Sequence, residues 1–370
     1  MSKHVGMQPS LRRTVLLSVV AAVAAASVLP SYAGQRSDGE RRAALTACTG
    51  DPADVQRTSL TVDGQEALAL VALPRKKPRG IVVFDHGYGH TMESWREHVA
   101  RTATTLGVIA IAPNYRNQTV PPTGQKVSSR GWRVAEGAAD SIAYAQHFET
   151  LCTPGGRNVI YGVSMGGNTS GLVVAAKPKR ADGSPLFDYW VAVEPAVNVS
   201  QTYLGASVLA PANTFAANAK ADIEEAFGGT LAQKADVYRE RTVVARTPDI
   251  AAAGLKGVYV VHGVVDGLVT YNQARELQGL LRAQRVPLDM WTAVTRKEGT
   301  EPGTTLDGYL PTGQTSPFAG HASETSTTHV VGVAGLKALD AIYTGVPFTC
   351  GEAVYDGTVD QTVRTSSTGC

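Results

Sequence analysis

The sequence predicts an α/β fold, with a mostly parallel sheet and helices on both of its faces. Short continuous apolar runs alternate with helix-length amphipathic segments along most of the 370 residues, and such alternation is typical of βαβ units. Two earlier apolar runs instead flank Asp63-Gly64, a turn signal that predicts an antiparallel hairpin. Because 43% of the residues are hydrophobic, the chain can bury one sizeable core.

The strands are assigned to apolar runs that are too short for helices and mostly lack alternation, as expected of strands buried on both faces. They cover residues 59–62, 67–71, 80–85, 108–112, 157–161, 189–193, 257–261 and 287–292. The intervening helices are predicted over residues 94–106, 133–148, 170–176, 271–284 and 327–343.

One long segment interrupts this alternation between two predicted strands. Residues 195–249 are rich in alanine and predict helices over 219–227 and 231–238. Since long connections near the end of a sheet usually carry function, we interpret this insertion as a cap over a pocket. The alternative is a surface excursion without a role. We expect a single domain over residues 34–370.

The N-terminus is typical of a secretory signal. Arg12 and Arg13 precede an apolar run over residues 15–29, and Ser31-Tyr32-Ala33 offers small residues for cleavage. Residues 1–33 are therefore predicted to be a signal peptide, with the secreted, extracellular chain starting near Gly34. A membrane anchor is the alternative, which the short and alanine-rich run disfavours.

Four cysteines in an exported chain indicate disulfide bonds. Three pairings are possible, and we favour Cys48–Cys152 together with Cys350–Cys370. The second bond would fix a tail over about residues 346–370 to the end of the last helix. Each bond could stabilise the fold by roughly 2–4 kcal/mol through loop-closure entropy.

The formal net charge of +2 gives no reason to expect nucleic acid or a membrane as a partner. The sequence contains no phosphate-binding glycine loop with a lysine and no Rossmann signature, so we expect no nucleotide cofactor. His86, His262 and His321 lack the spacing of a zinc site. We therefore expect no metal, a small or medium substrate, and a monomer.

The motif with most chemical information is Gly162-Val163-Ser164-Met165-Gly166. It lies between a predicted strand and a predicted helix, where a serine on a sharp turn has its hydroxyl exposed and flanking glycines avoid steric clash. The pattern alone is weak, because it arises by chance with a probability of roughly one in five in a chain of this composition. Its structural context makes Ser164 the candidate nucleophile.

A serine hydroxyl needs a general base and an orienting carboxylate to act as a nucleophile. Asp266 follows the strand predicted over residues 257–261, at the sheet edge where ligands bind in α/β folds. His321 lies in a loop and His329 lies at the start of the last helix. We favour His321 as the base, because a loop residue reaches over the sheet more readily; His329 would then be a packed or capping residue.

The turn after the strand over residues 80–85 is rich in glycine and is expected beside Ser164. The backbone N–H groups of Tyr88 and Met165 are the candidate donors for an oxyanion hole. His86 is interpreted as a structural histidine that holds this turn, and His90 has no assigned role.

These residues, in the order of oxyanion turn, nucleophile, acid and base, resemble the α/β-hydrolase superfamily. The resemblance covers residues 59–343 and implies an α/β-hydrolase fold. It implies Ser164 as nucleophile, Asp266 as acid, His321 as base, and Tyr88 and Met165 as oxyanion donors. The chain is similar to secreted lipases, cutinases and polyester hydrolases. Its cap and its long loop over residues 296–320 depart from the compact polyester hydrolases, and favour a partly covered pocket.

The sequence thus predicts a secreted serine esterase or lipase that forms an acyl-enzyme on a Ser-His-Asp triad. Three alternatives stay open: an amidase or peptidase on the same triad, a polyester or lipid hydrolase, and a catalytically dead binding protein. Four aromatic side chains are candidates for the pocket wall and are equally consistent with ordinary packing: Tyr88, Trp95, Trp132 and Tyr203.

Overall fold

The computed structural model describes residues 47–118, 131–264, 266–294, 320–322, 324, 326–357 and 359–370. The predicted signal peptide and nearly all of the loop over residues 296–320 lie outside the described residues. Within them, ten strands form one sheet in the order β1-β2-β4-β3-β5-β6-β7-β8-β9-β10. The strands are β1 (Gln56–Val62), β2 (Gln65–Ala72), β3 (Gly80–Asp85), β4 (Ile109–Pro113), β5 (Arg157–Val163), β6 (Tyr189–Val193), β7 (Gly257–Gly263), β8 (Leu288–Val294), β9 (Gly351–Asp356) and β10 (Gln361–Ser367).

The sheet is parallel from β4 to β9, whereas β1, β2 and β10 pair antiparallel with their neighbours. From β3 the chain crosses to β4 on one side, and β5 then returns to pair with β3 on the other side. The strand order therefore reverses between β3 and β5, and connections leaving such a point in opposite directions open a crevice at the carboxyl ends of the strands.

Nine α-helices connect the described strands. They are α1 (Arg96–Leu106), α2 (Val134–Cys152), α3 (Met165–Ala175), α4 (Val199–Leu209), α5 (Thr214–Phe227), α6 (Ala235–Glu240), α7 (Thr247–Ala251), α8 (Tyr271–Ala283) and α9 (Val330–Tyr343). Alternate residues of the central strands face two separate cores: α1 and α9 pack on one face of the sheet, and α2, α3 and α8 pack on the other. None of the described helices is long and apolar enough to cross a membrane.

The insertion over residues 195–249, which we call the cap, holds α4 to α6 and the start of α7, whereas the sequence predicts only two helices there. The prediction over residues 219–227 covers the second half of α5, the one over 231–238 overlaps α6 only in part, and α4 was missed. Side-chain caps mark the true starts: Asn198 accepts from the Gln201 N–H at 3.1 Å and Asn213 accepts from the Ala216 N–H at 3.0 Å. Asparagine is a preferred residue at such positions.

The sequence analysis assigned no strand beyond residue 292, yet β9 and β10 extend the sheet. In β9 the side chains alternate between buried and half-buried, while every residue of β10 is exposed. A serine- and threonine-rich edge strand has no apolar pattern that sequence reasoning could detect. The Cys350–Cys370 disulfide joins the two ends of this hairpin, and Cys48–Cys152 links α2 to the start of the described chain. These two bonds are the pairings that the sequence analysis favoured.

Candidate active site

Ser164 lies on a sharp turn between β5, which ends at Val163, and α3, which begins at Met165. Its backbone has φ 57° and ψ −121°, a conformation that is strained for a residue with a side chain. A Cβ atom on Gly162 would overlap the Gly166 carbonyl, and one on Gly166 would overlap the Asp85 carbonyl. The two glycines of the motif are therefore required for the strand, the turn and the helix to approach so closely.

Two more strained residues follow other parallel strands of the sheet. Tyr115 lies just after β4 with φ 47°, and Glu194 directly follows β6 with φ 43°. Residues held in such conformations cluster at functional sites, because the surrounding structure must compensate their cost. Three of the nine described non-glycine residues with positive φ therefore lie just after β4, β5 and β6, at the carboxyl edge of the sheet.

His321 and Asp266 form a hydrogen-bonded pair at this edge. The Nδ1–H of His321 donates to Oδ2 of Asp266 at 2.7 Å. The other oxygen of Asp266 accepts from the backbone N–H groups of Leu268 and Val269, at 2.8 and 2.9 Å. In the neutral imidazole this hydrogen bond places the proton on Nδ1, which leaves Nε2 of His321 as the proton acceptor.

His262 supports Asp266 from the end of β7. Its Nε2–H donates to the Val269 carbonyl at 2.8 Å and lies 3.3 Å from Oδ2 of Asp266. Burial would raise the pKa of the Asp266 carboxyl, but the charges and hydrogen bonds of His321 and His262 outweigh burial and hold it well below its usual value. Asp266 is therefore an anion.

Glu194 is a second carboxylate beside the same imidazole. Its Oε2 lies 3.6 Å from Nδ1 of His321 and accepts the Ala322 N–H at 2.5 Å. Burial, together with the nearby charge of Asp266, raises the pKa of Glu194 to about 8. The sequence analysis missed this residue, although the criterion that selected Asp266, a carboxylate after a parallel strand at the Ser164 edge, applies to it equally.

The two carboxylates determine the protonation of His321. Burial alone would lower the pKa of its imidazole, but the negative charge of Asp266, joined by that of Glu194 once Glu194 is ionised, outweighs burial and raises it to about 9. The site thus favours the imidazolium form, which is the form that arises when His321 removes a proton from a neighbouring hydroxyl.

The other candidate base, His329, is the N-cap of α9. Its Nδ1 accepts a hydrogen bond from the Val331 N–H at 3.3 Å, so this nitrogen carries no proton. Burial and the nearby His321 lower the pKa of His329 to about 4, which fits this accepting role. The structure places His329 as a capping residue, and His321 alone of the two lines the pocket that contains Ser164.

The turn after β3 lies against Ser164. A Cβ atom on Gly87 would be 3.4 Å from the Cβ of Ser164, and Tyr88 follows directly. Met165 is the first residue of α3, so its N–H has no acceptor within the helix. The buried Glu324 accepts the Gly87 N–H and lies 3.4 Å from Nε2 of His90. Sequence reasoning missed Glu324, which links the His321 loop to this turn.

His86 is a buried structural residue. Its ring stacks on Tyr115 with a centroid distance of 3.9 Å, and the Tyr115 hydroxyl donates to the His86 carbonyl at 2.9 Å. Burial lowers the pKa of its imidazole to about 4. His86 therefore holds the turn in a neutral form, in the role that the sequence analysis gave it.

A pocket of about 510 Å³ opens over these groups, within the usual size range for small-molecule sites. The sheet side contributes Ser164 and His321, and the cap contributes α4 and α5. Of the aromatic candidates, Tyr88 and Trp132 line this pocket. Trp95 instead packs on Phe84 and Tyr161 in the core, and Tyr203 packs on Tyr238 within the cap.

Glu194, Asp266 and His321 are also the one group of described residues whose side chains lie close enough together to hold a metal ion. Oδ2 of Asp266 already accepts a hydrogen bond from His321, and Oε2 of Glu194 already accepts one from the Ala322 N–H. We therefore interpret the group as an acid–base cluster. His86 and His262 are not part of it.

A family model described as "Alpha/beta hydrolase family" matches residues 82–325. This match covers more than half of the chain and includes Ser164 and Asp266. The chain therefore belongs to the alpha/beta hydrolase family, as the resemblance implied. No curated protein that was compared with the chain matches it significantly.

Solved structures with a similar fold include esterases and peptidases. A thermostable esterase from Pseudomonas putida superposes with a TM-score of 0.53 at 15% identity, over 84% of this chain and 89% of the esterase. Dipeptidyl peptidase 4 from Porphyromonas gingivalis gives a TM-score of 0.45 at 17% identity, and acylaminoacyl peptidase from Pyrococcus horikoshii 0.48 at 14%. The match covers 64% of this chain in each, but only 31% and 36% of these two longer proteins. The similarity concerns the fold.

Proposed function

We propose that this protein is a secreted serine hydrolase that cleaves carboxylic esters through an acyl-enzyme. One observation carries the proposal: an imidazole, hydrogen-bonded to a buried carboxylate at 2.7 Å, lines the same pocket as a serine on a strained strand-to-helix turn. This combination provides a nucleophile, a base and an orienting acid.

In the first half-reaction, Nε2 of His321 takes the proton from the Ser164 hydroxyl while Oγ bonds to the carbonyl carbon of the ester. The carbonyl oxygen becomes negative and accepts hydrogen bonds from the N–H groups of Tyr88 and Met165. The tetrahedral intermediate then collapses. Its C–O bond to the alcohol breaks, and His321 gives its proton to the departing alcohol.

In the second half-reaction, water replaces the alcohol. His321 takes a proton from the water as its oxygen bonds to the acyl carbon, and the bond to Oγ of Ser164 then breaks. Oγ recovers the proton from His321, and the carboxylic acid leaves. Asp266 keeps the imidazole in the required tautomer and stabilises the imidazolium in both halves.

Two features support export from the cell. Two disulfide bonds join Cys48 to Cys152 and Cys350 to Cys370, and such bonds persist in oxidising compartments outside the cytosol. The basic and apolar N-terminal segment is typical of a secretory signal. Secretion would be tested by detecting a chain that starts near Gly34 in the medium.

The pocket and the esterase neighbour favour esters over amides. The described pocket wall is mainly apolar, and the Pseudomonas putida protein with a similar fold is an esterase. Cleavage of an amide would also require an amine, a poorer leaving group than an alcohol, to leave the tetrahedral intermediate.

The test is hydrolysis of 4-nitrophenyl butyrate and of the matching 4-nitroanilide, measured side by side for the wild type and Ser164→Ala. We expect ester turnover by the wild type, little anilide turnover, and an ester rate in Ser164→Ala lower by about 10⁴-fold or more. Ser366→Ala, the same substitution on the exposed strand β10, is the control. An active Ser164→Ala variant would refute the nucleophile, and a preference for the anilide would identify an amidase.

A further inference from the structure

The cap helix α4 has an unusual surface for an exposed helix. No aspartate, glutamate, lysine, arginine or histidine occurs over residues 195–219, which include the whole of α4. Surface helices normally carry charged side chains on their outer face. An uncharged helix at the surface therefore suggests that something apolar covers it during function.

The exposed apolar side chains of α4 are concentrated at the pocket. Seven large apolar side chains are exposed in the described part of the chain, and three of them are on α4: Leu204 at 54%, Val208 at 79% and Leu209 at 45%. All three line the pocket that contains Ser164, and the other four do not. An apolar patch that is continuous with a pocket marks a ligand-binding groove.

Small residues leave space along this patch. Gly205 also lines the pocket, and a Cβ atom placed on it would meet nothing within 4 Å. Two further small residues, Ala216 and Ala219 of α5, also line the pocket. The cap side of the cavity is therefore a groove between α4 and α5 with apolar walls and room for a chain.

The charged and titratable groups of the pocket are concentrated at its other end, whereas the cap contributes only uncharged polar side chains, Gln201, Thr202 and Asn213. Ser164, His321, His90 and Glu324 come from the carboxyl edge of the sheet and its loops. A ligand that matches both ends carries a polar, hydrolysable group at the sheet and an apolar chain along α4. Peptides and sugars would place polar groups against the side chains of Leu204, Val208 and Leu209, which is costly.

We propose that the groove between α4 and α5 is an aliphatic subsite, and that the substrates are esters with a medium- to long-chain aliphatic group. This inference rests on the proposed ester hydrolysis. The aliphatic group covers Leu204 and Val208 while the ester carbonyl lies at Ser164. The chain belongs either to the acid or to the alcohol of the ester, and hydrolysis of ethyl octanoate and octyl acetate distinguishes these two sources.

The kinetic test compares 4-nitrophenyl acetate with 4-nitrophenyl octanoate. We expect the wild type to prefer octanoate, and the double variant Leu204→Ser/Val208→Ser to reduce the octanoate-to-acetate ratio of kcat/KM by about tenfold, since the contact with the aliphatic chain is lost. Val346→Ser/Val363→Ser is the matched control, because these valines are 60% and 56% exposed and lie away from the pocket. An unchanged ratio in the first variant would overturn the subsite while leaving ester hydrolysis intact.

A second variant fills the groove instead of making it polar. Gly205→Leu should place a side chain in the open space and reduce the same ratio by about tenfold. Gly279→Leu is its control, because Gly279 lies on α8, also has nothing within 4 Å of its Cβ position, and does not line the pocket. Equal ratios for the two leucine variants would contradict the proposal.

Binding without turnover separates the subsite from the catalytic proposal. In the Ser164→Ala background, calorimetry with dodecan-2-one, a ketone that cannot be hydrolysed, should show binding that Leu204→Ser/Val208→Ser weakens by about tenfold. If the wild type cleaves no ester but this binding is seen, the proposed function fails and the subsite stands. Equal binding by Ser164→Ala with and without the two serine substitutions would overturn the subsite. A second result would also overturn it: a dimer seen in sedimentation that Leu204→Ser/Val208→Ser dissociates without changing the binding of the ketone.

Discussion

The carboxyl edge of the sheet and the cap differ in almost every physical respect. At the sheet edge, Ser164 and Glu194 have strained backbones, and buried charged groups hold one another through hydrogen bonds. In the cap, α4 carries no charge and exposes Leu204 and Val208. Strain and buried charge cost stability and persist where geometry must be fixed. The sheet edge is thus suited to a reaction, and the cap to the selection of a substrate.

This difference has a measurable consequence for mutants. Substitutions at the sheet edge should change the rate for every ester by similar factors, because they affect the reacting atoms. Substitutions in the cap should change the ranking of esters. The following predictions are ordered by the size of the expected effect on this comparison.

The largest effect separates the two histidines. His321→Ala should lower kcat for 4-nitrophenyl butyrate by about 10⁴-fold or more, because Ser164 loses its base. His329→Ala should retain most activity and lose about 1 kcal/mol of stability through the lost helix cap. Rates and thermal unfolding of both variants check this, and an inactive but folded His329→Ala would reverse the assignment.

The next effect concerns the orienting acid. Asp266→Asn should lower kcat by about 10²–10³-fold, because an amide favours the wrong tautomer of His321. This loss is smaller than for His321→Ala, since Glu194 keeps a carboxylate 3.6 Å from the same nitrogen. The double variant Asp266→Asn/Glu194→Gln should lose more than Asp266→Asn alone. If the two variants have equal rates, Glu194 does not assist the imidazole.

The pH profile provides a finer test of the same cluster. His321 must lose its proton before it can act as a base, and neighbouring carboxylates raise its pKa to about 9. Hence kcat/KM should rise with pH through an apparent pKa above the ordinary histidine value. The negative charge of ionised Glu194 stabilises the imidazolium. Its removal in Glu194→Gln should therefore move the rise of kcat/KM to lower pH by roughly one pH unit.

The control for the pH profile is Glu66→Gln, which removes an exposed glutamate on β2. Its profile should coincide with that of the wild type. A Glu194→Gln profile that moves to higher pH, or does not move, would show that Glu194 does not act on the charge of His321.

The smallest effect tests the contact between the two regions. The Tyr88 hydroxyl donates to Asp222 of α5 at 2.6 Å, and so connects the turn beside Ser164 to the cap. Tyr88→Phe should lower kcat/KM about threefold to tenfold, as expected for one lost hydrogen bond. Tyr203→Phe is the matched control, because its hydroxyl donates to Glu224 at 2.6 Å entirely within the cap. Equal kinetics in the two variants would indicate that the contact does not influence the turn.

The same contrast explains what the sequence could reveal. The sequence predicted part of the site at the sheet edge. Close approach of the backbone requires Gly162 and Gly166, and Asp266 follows a recognisable parallel strand. Glu324 was missed, since it lies in no motif and matters only because folding brings it to Gly87. Glu194 directly follows β6, so the criterion that selected Asp266 would also have found it, but its place beside His321 depends on the fold.

The helices of the cap and the packing of two aromatic side chains were harder to predict from the sequence. In α4, Gly205 and several residues of low helix propensity weaken the local signal, and its apolar face covers a pocket that only the folded chain forms. Trp95 and Tyr203 could not be placed, because their packing partners, Phe84 and Tyr238, do not follow from local pattern.

The most direct measurement of the proposed chemistry is covalent labelling with a fluorophosphonate, followed by mass spectrometry of the tryptic peptides. We expect one phosphonyl group per protein, located on Ser164, and labelling of His321→Ala that is slower by orders of magnitude. Ser164→Ala should remain unlabelled. Labelling of a different residue, or an active enzyme that the probe does not modify, would contradict the assignment of Ser164 as the nucleophile.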